Sequence, residues 1–169
     1  RTSRRHADRQ RGRRHVHRRS RRRDVQDTGG SATVAGTASF SADVLRVEGG
    51  VLEINSPNVD TAVGSIFLAG GELTGSTDYS VGVVDWTAGI LSGSGTLTIP
   101  PNGAMALSTF GAKTLSRHIV NNDTLNWSFG DVELRSGAHI DNNSFFVVPS
   151  VGFSATFCCG GPPAQITNN

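Results

Sequence analysis

Long hydrophobic runs are missing from this chain. Nowhere do about 18 apolar residues follow one another, so no transmembrane helix is expected. No apolar stretch follows the N-terminal charges in the way a secretory signal peptide requires. Aromatic residues make up 7% of the 169 residues and all hydrophobic residues 36%, which is lean for a helical core. No window sustains the i, i+3, i+4, i+7 spacing of an amphipathic helix, so a helical repeat is excluded. Only two cysteines occur, Cys158 and Cys159. Being adjacent, with neither CxxC spacing nor a His cluster nearby, they do not form a zinc framework. A bond between neighbours needs a strained ring, so thiols in a loop are the expectation, with a disulfide elsewhere in a longer secreted chain as the alternative.

Lysine is almost absent too, and the basic residues are unevenly placed. Residues 1–23 hold twelve Arg against one acid, Asp8, a net of +11. Residues 24–169 hold four bases (Arg46, Lys113, Arg117 and Arg135) against thirteen acids, a net of −9. The overall +2 therefore averages two unlike segments, with a boundary near 24–30. Residues 1–28 have too few apolar side chains to offset the entropy of ordering and are expected to be disordered. An Arg run neutralises phosphates, so nucleic acid could be met non-specifically through residues 1–27. The same text is what a GC-rich gene for Gly, Ala, Thr and Asp repeats yields out of frame. Out-of-frame translation is the reading its composition favours over a basic tail or a nucleic-acid arm. The chain starts with Arg and ends on "ITNN", and reads as an excerpt of a longer open reading frame.

What is abundant is glycine, at 21 residues, together with Ser, Thr and Asn. "VEGGVLEI" at 47–54, "LAGGELTG" at 68–75 and "WTAGILSG" at 86–93 align without gaps. "HIVNN" at 118–122 returns as "HIDNN" at 139–143, and a third Asn pair stands at 168–169. A period of 18–21 residues, steady in length and loose in letters, marks a solenoid. Alternating pieces supply its strands. "GTLTIP" sets Leu97 and Ile99 on one face, and "DVELRSG" sets Val132 and Leu134 inward with Glu133 and Arg135 outward. The fold expected over residues 29–169 is all-β, a right-handed parallel β-helix of about six coils with two or three short strands per coil. Gly49–Gly50 and Gly70–Gly71 would turn corners at positive φ. Leu and Ile would stack down the interior. Asn121 over Asn142, or Asn122 over Asn143, would hydrogen-bond in a ladder, with the Asn pair itself turning the corner in the left-handed conformation.

The text from Val84 to Phe146, "VDWTAGILSGSGTLTIPPNGAMALSTFGAKTLSRHIVNNDTLNWSFGDVELRSGAHIDNNSFF", resembles the repeats of large bacterial extracellular proteins. Those carry a Trp-Thr-Gly-Gly…Ser-Gly-Ser-Gly-Thr element, a Gly-Ala-x-Leu strand, a Lys–Leu–Arg–Asn element and a Gly-Ala-x-Ile-x-Asn turn. The likeness spans roughly 45–145 and departs from the usual text at Asn122–Asp123 and at the cysteines. It implies an adhesin-like or autotransporter-passenger-like β-helix, extracellular or cell-surface, and carries over no catalytic residues.

Candidate chemistry is sparse. His118 and His139 share a column and could share a metal, but no carboxylate column accompanies them, so solvated imidazoles are expected. Asp60, Asp78, Asp85, Asp123, Asp131 and Asp141 fall in unlike contexts and lack the calcium-solenoid motif; they are expected to keep the surface soluble. Asp85 with Trp86, and Asp123 with Trp127, are conceivable sugar platforms, although a Trp on a recurring column is more often core. Asn122, Asn126 and Asn142 head glycosylation sequons. No catalytic, cofactor-binding or metal residue is designated, and no cofactor. The expected role is a structural or adhesive segment of a large secreted protein. Its exposed strand faces would meet a host or matrix carbohydrate or protein, and its ends would meet further coils of the same chain. A polysaccharide-degrading or carbohydrate-binding β-helix is the alternative, weakened by the lack of long loops to wall a cleft.

Overall fold

The computed structural model describes residues 24–35, 42–56, 62–135, 137–148, 154–158 and 161–169. They contain fourteen strands and no helix, all joined in one sheet by parallel ladders. The first four strands are long: β1 (Asp24–Ala35), β2 (Val44–Asn55), β3 (Ala62–Thr74) and β4 (Tyr79–Leu91). Each runs through a glycine corner and so covers two or three faces of the coil without a break. Thereafter each face has its own strand. β4 pairs at its start with β5 (Thr96–Ile99), in its middle with β6 (Ala104–Ser108) and at its end with β7 (Lys113–Leu115). β8 (His118–Asn121), β9 (Thr124–Phe129) and β10 (Val132–Arg135) form the next turn. β11 (His139–Asn142), β12 (Phe145–Val147) and β13 (Ala155–Cys158) form the one after, and β14 (Gln165–Asn168) begins another. The result is a parallel β-solenoid of about five turns, flanked by partial ones.

Period-2 alternation explains why the turns close on a dry interior. Val25, Leu45, Ile66, Val84, Met105, Leu125 and Phe146 lie in register on one face. Six interstrand steps of about 4.8 Å make that column about 29 Å long. A second column runs Val47, Leu68, Trp86, Leu107, Trp127. A third is almost pure leucine, from Leu52 through Leu73, Leu91 and Leu115 to Leu134, none more than 3% exposed. Burying each such side chain contributes about 1.5–3 kcal/mol relative to leaving it in water.

The glycine corners are conformational necessities. Gly71 has φ +62°, and a Cβ there would lie 2.7 Å from the carbonyl carbon of Gly49 in the turn below. Gly89, one turn on, has φ +100° and a Cβ would lie 2.6 Å from the oxygen of Gly71. Backbone thus packs on backbone down this edge, and any side chain would push the turns apart.

Four expectations need correction. The solenoid begins at Asp24 rather than 29, because residues 24–27 pair with 44–47 and Val25 packs on the core; residues 1–23, with their basic run, lie outside the described residues. Strands in the first turns run 12–13 residues instead of dividing into two or three short ones, since the glycines bend the ladder without ending it. The Asn pairs do not take the left-handed conformation; among the described non-glycine residues Asn102 alone has positive φ. Cys158 is disulfide-bonded rather than free, and Cys159 lies outside the described residues.

Candidate functional site

Polar side chains in a solenoid either satisfy one another along the axis or face solvent, and most here do the former. The column containing Ile99 turns polar at Asn121 and Asn142, both fully buried, and ends on the exposed Asn168. Asn121 Nδ2 donates to Asn142 Oδ1 at 2.6 Å, and Asn142 Nδ2 to Asn168 Oδ1 at 2.5 Å. The outer members form a parallel ladder, Asn143 to Asn122 at 2.9 Å and Asn169 to Asn143 at 2.7 Å. Both stacks anticipated from the letters exist together, one buried and one exposed. Of the sequon asparagines, Asn142 is buried in the folded chain, whereas Asn126 is exposed.

Two of the four bases outside the Arg run are interior, which their charge gave no reason to expect. Arg117 is 2% exposed. Its guanidinium donates to the carbonyl of Thr77, and at 2.9 Å to that of Ser92, and lies 4.8 Å from the Tyr79 ring centroid. It thereby ties together carbonyls from two lower corners. Burial lowers its pKa, opposed by the neighbouring Tyr79 and Asp78. Burial likewise pushes the Tyr79 phenol up to about 12, with Arg117 pulling the other way. Lys113 Nζ donates to the carbonyls of Thr109 and Gly111 at 2.5 and 3.0 Å, pinning that loop. Its pKa is lowered by burial, against the pull of Asp85.

The acids considered for calcium have other employment. Asp78 accepts from the Thr96 amide at 2.7 Å, Asp85 from the Ser108 hydroxyl at 2.5 Å, and Asp123 from the Asn102 amide at 2.7 Å. Asp131 accepts from the Ser154 amide at 2.8 Å. Each bond joins residues 18–23 apart in sequence, one turn to the next, so these carboxylates are axial staples. Asp60 lies outside the described residues. Neither Trp is a sugar platform: Trp86 and Trp127 sit at 1% and 5% exposure in the core, with Nε1 donating to Gly89 and Gly130 carbonyls at 3.3 and 2.6 Å.

Two surface features remain. On the face built by β8, β11 and β14, His118 and His139 are in register and their rings stack, centroids 5.0 Å apart and planes 20° apart. The carboxylate missing from their column stands beside it. Asp141 is two residues from His139 on the same strand, so both point outward, and it meets His118 Nε2 at 2.8 Å and His139 Nε2 at 3.0 Å. His139 Nε2 also lies 3.1 Å from Thr167 Oγ1 on β14. The sequence signal for it is the His-x-Asp spacing within one strand, which the coil period does not display. The second feature is a shallow groove of about 350 Å³ on the face of β7, β10 and β13, lined by Phe110, Thr114, Asp131, Glu133 and Thr156. Phe110 is 77% exposed and meets Phe129 edge-on at 5.2 Å. Glu133 is paired with Arg135 at 2.5 Å.

No helix among the described residues is long and apolar enough to cross a membrane. The chain matches no protein-family model, no curated protein and no solved structure.

Proposed function

We propose that the chain is a structural or adhesive segment of a larger secreted or surface-displayed protein, a rod whose sides meet a partner passively. The observation that carries this reading is that the polar side chains are spent on joining turn to turn. The Asn ladders, the acid staples and the buried Arg117 and Lys113 all serve axial cohesion. Among the described residues, β1 at one end and β12, β13 and β14 at the other leave strand edges unpaired, suited to continuation by further coils. The resemblance to adhesin-like repeats points the same way. The test is the flanking DNA in the same frame: further turns at 18–26-residue spacing and an export signal support the reading. Flanking sequence of another architecture overturns it.

Carbohydrate is favoured as the partner by the groove beside Phe110. An exposed aromatic ring next to carboxylates and the Thr114 and Thr156 hydroxyls is the combination that stacks on a sugar face while bonding its hydroxyls. Binding of the full chain to arrayed polysaccharides should be lost in Phe110→Ala without change in melting temperature. Retention of binding in that variant removes the groove from the proposal.

A further inference from the structure

We propose that His118, His139 and Asp141 form a binding site for a borderline divalent metal ion of the zinc, cobalt or nickel class. The three side chains come from two successive turns and offer two imidazole nitrogens and a carboxylate oxygen within 4.8 Å of one another. Such a ligand set suits Zn(II)-like ions, whereas Ca(II) and Mg(II) want oxygen ligands.

The geometry is close to what coordination requires. Tetrahedral bonds of about 2.0–2.1 Å hold neighbouring donor atoms roughly 3.3 Å apart. The Asp141 oxygens lie 2.8 and 3.0 Å from the two Nε2 atoms and all the ligand atoms lie within 4.8 Å of one another, so side-chain rotations, without backbone movement, bring the three donors to one ion. The ladder fixes the strands on which both rings stand, and the rings, stacked with planes 20° apart, turn on binding so that their in-plane lone pairs converge on the ion. Thr167 Oγ1, against His139 Nε2, stands where it can hydrogen-bond a water completing the coordination shell. All three ligands are half-buried, open to exchange with solvent on the outer side. An ion here would join β8 to β11 on the outer face, opposite the buried Asn121–Asn142 bond on the inner one.

The site need not be strong to be measured, because an ion that binds the folded chain alone raises its melting temperature. The full chain, stripped with chelator, is melted at about pH 7.5 across a Zn(II) titration. At a hundredfold excess over Kd the midpoint should rise by roughly 5–10 °C. His118→Gln, His139→Gln and Asp141→Asn should each move the titration to about 10–100-fold higher Zn(II), and Ca(II) and Mg(II) should give no rise. His6, His15 and His17 carry further imidazoles, so the substituted chains, and not bulk stoichiometry, report on this site. Co(II) provides a second readout that does not depend on stability: visible bands of a low-symmetry complex in the wild-type chain, lost in His139→Gln. No rise with Zn(II), or an equal rise in the three variants, overturns the proposal, as does a Co(II) spectrum unchanged by His139→Gln.

Discussion

Replacing Asn142 by Asp changes one heavy atom of the inner ladder and removes the donor from two hydrogen bonds. Asn142 is fully buried. It accepts from Asn121 at 2.6 Å and donates to Asn168 Oδ1 at 2.5 Å and to the Ser144 carbonyl at 2.8 Å. In Asn142→Asp the acceptance survives, but a carboxylate oxygen faces two acceptors where an amide nitrogen stood. A buried charge left without its partners costs about 3–5 kcal/mol, or roughly 6–20 °C in melting temperature for a chain of this size. The folded pKa of the introduced carboxyl must rise above its unfolded value of about 3.9. A raised pKa means stability is retained below the unfolded value and lost as pH climbs through the folded one. The deficit against wild type should therefore be large at pH 7 and shrink towards about pH 3, where the carboxylic acid can again donate one bond. Asn143→Asp, on the exposed outer ladder, is the control and should cost within about 0.5 kcal/mol. Thermal melts of the three chains at both pH values make the comparison. Hydrogen exchange across β8, β11 and β14 tells local opening from global unfolding. A deficit at pH 7 under about 2 °C, one independent of pH, or one matched by Asn143→Asp would refute the reasoning.

Other substitutions test other parts of the coil. Leu91→Ala, in the middle of the leucine column at 1% exposure, should cost about 2–5 kcal/mol by chemical denaturation. Gly71→Ala should cost more than about 1 kcal/mol, through both its positive φ and the backbone it would strike. Gly29→Ala, with nothing within 4 Å of its Cβ, should stay within about 0.5 kcal/mol. The chain has one tyrosine, so alkaline difference absorbance reads Tyr79 directly. Its midpoint should sit near 12 in the folded protein and return to about 10 in denaturant. Because that pKa is raised, stability from this group is present below about pH 10 and lost as pH rises towards 12. Lys113 has the opposite sign. Its lowered pKa means that stability should rise as pH climbs from its folded value to the unfolded 10.5, a rise that Lys113→Met should abolish in denaturant titrations at graded pH.

Much of this was legible because a solenoid repeats its constraints. Gly49–Gly50, Gly70–Gly71, the Leu52–Leu73–Leu91 series and the two Asn pairs recur at a turn's spacing because each must lie on its own kind. A single chain therefore displays its own columns. Features that do not recur carry no such mark. Arg117 and Lys113 each occur once, and a lone base is by default solvent-exposed; nothing local marks that Thr77, Ser92 and Thr109 would present carbonyls to them. Asp141 was hidden for a related reason. Its counterpart one turn earlier is Val120, so no column announced it, and only the two-residue alternation of a strand puts it beside His139. The acids failed as a class for lack of any shared motif, since a staple needs only an amide or hydroxyl one turn away and can sit at any corner. The groove beside Phe110 depends on where a corner loop folds, which periodicity does not encode.

The Asn ladders have one more consequence. Asn121 and Asn142 are 21 residues apart and Asn142 and Asn168 are 26 apart, yet both steps make the same bond. A turn can therefore differ by five residues in length while the rise along the axis stays at one strand spacing. Insertions and deletions at the corners can alter the outline of the rod at one level without shifting the levels above it. Length and decoration are thus uncoupled, and a lineage can redraw the molecule's flank one rung at a time while the spine keeps its register.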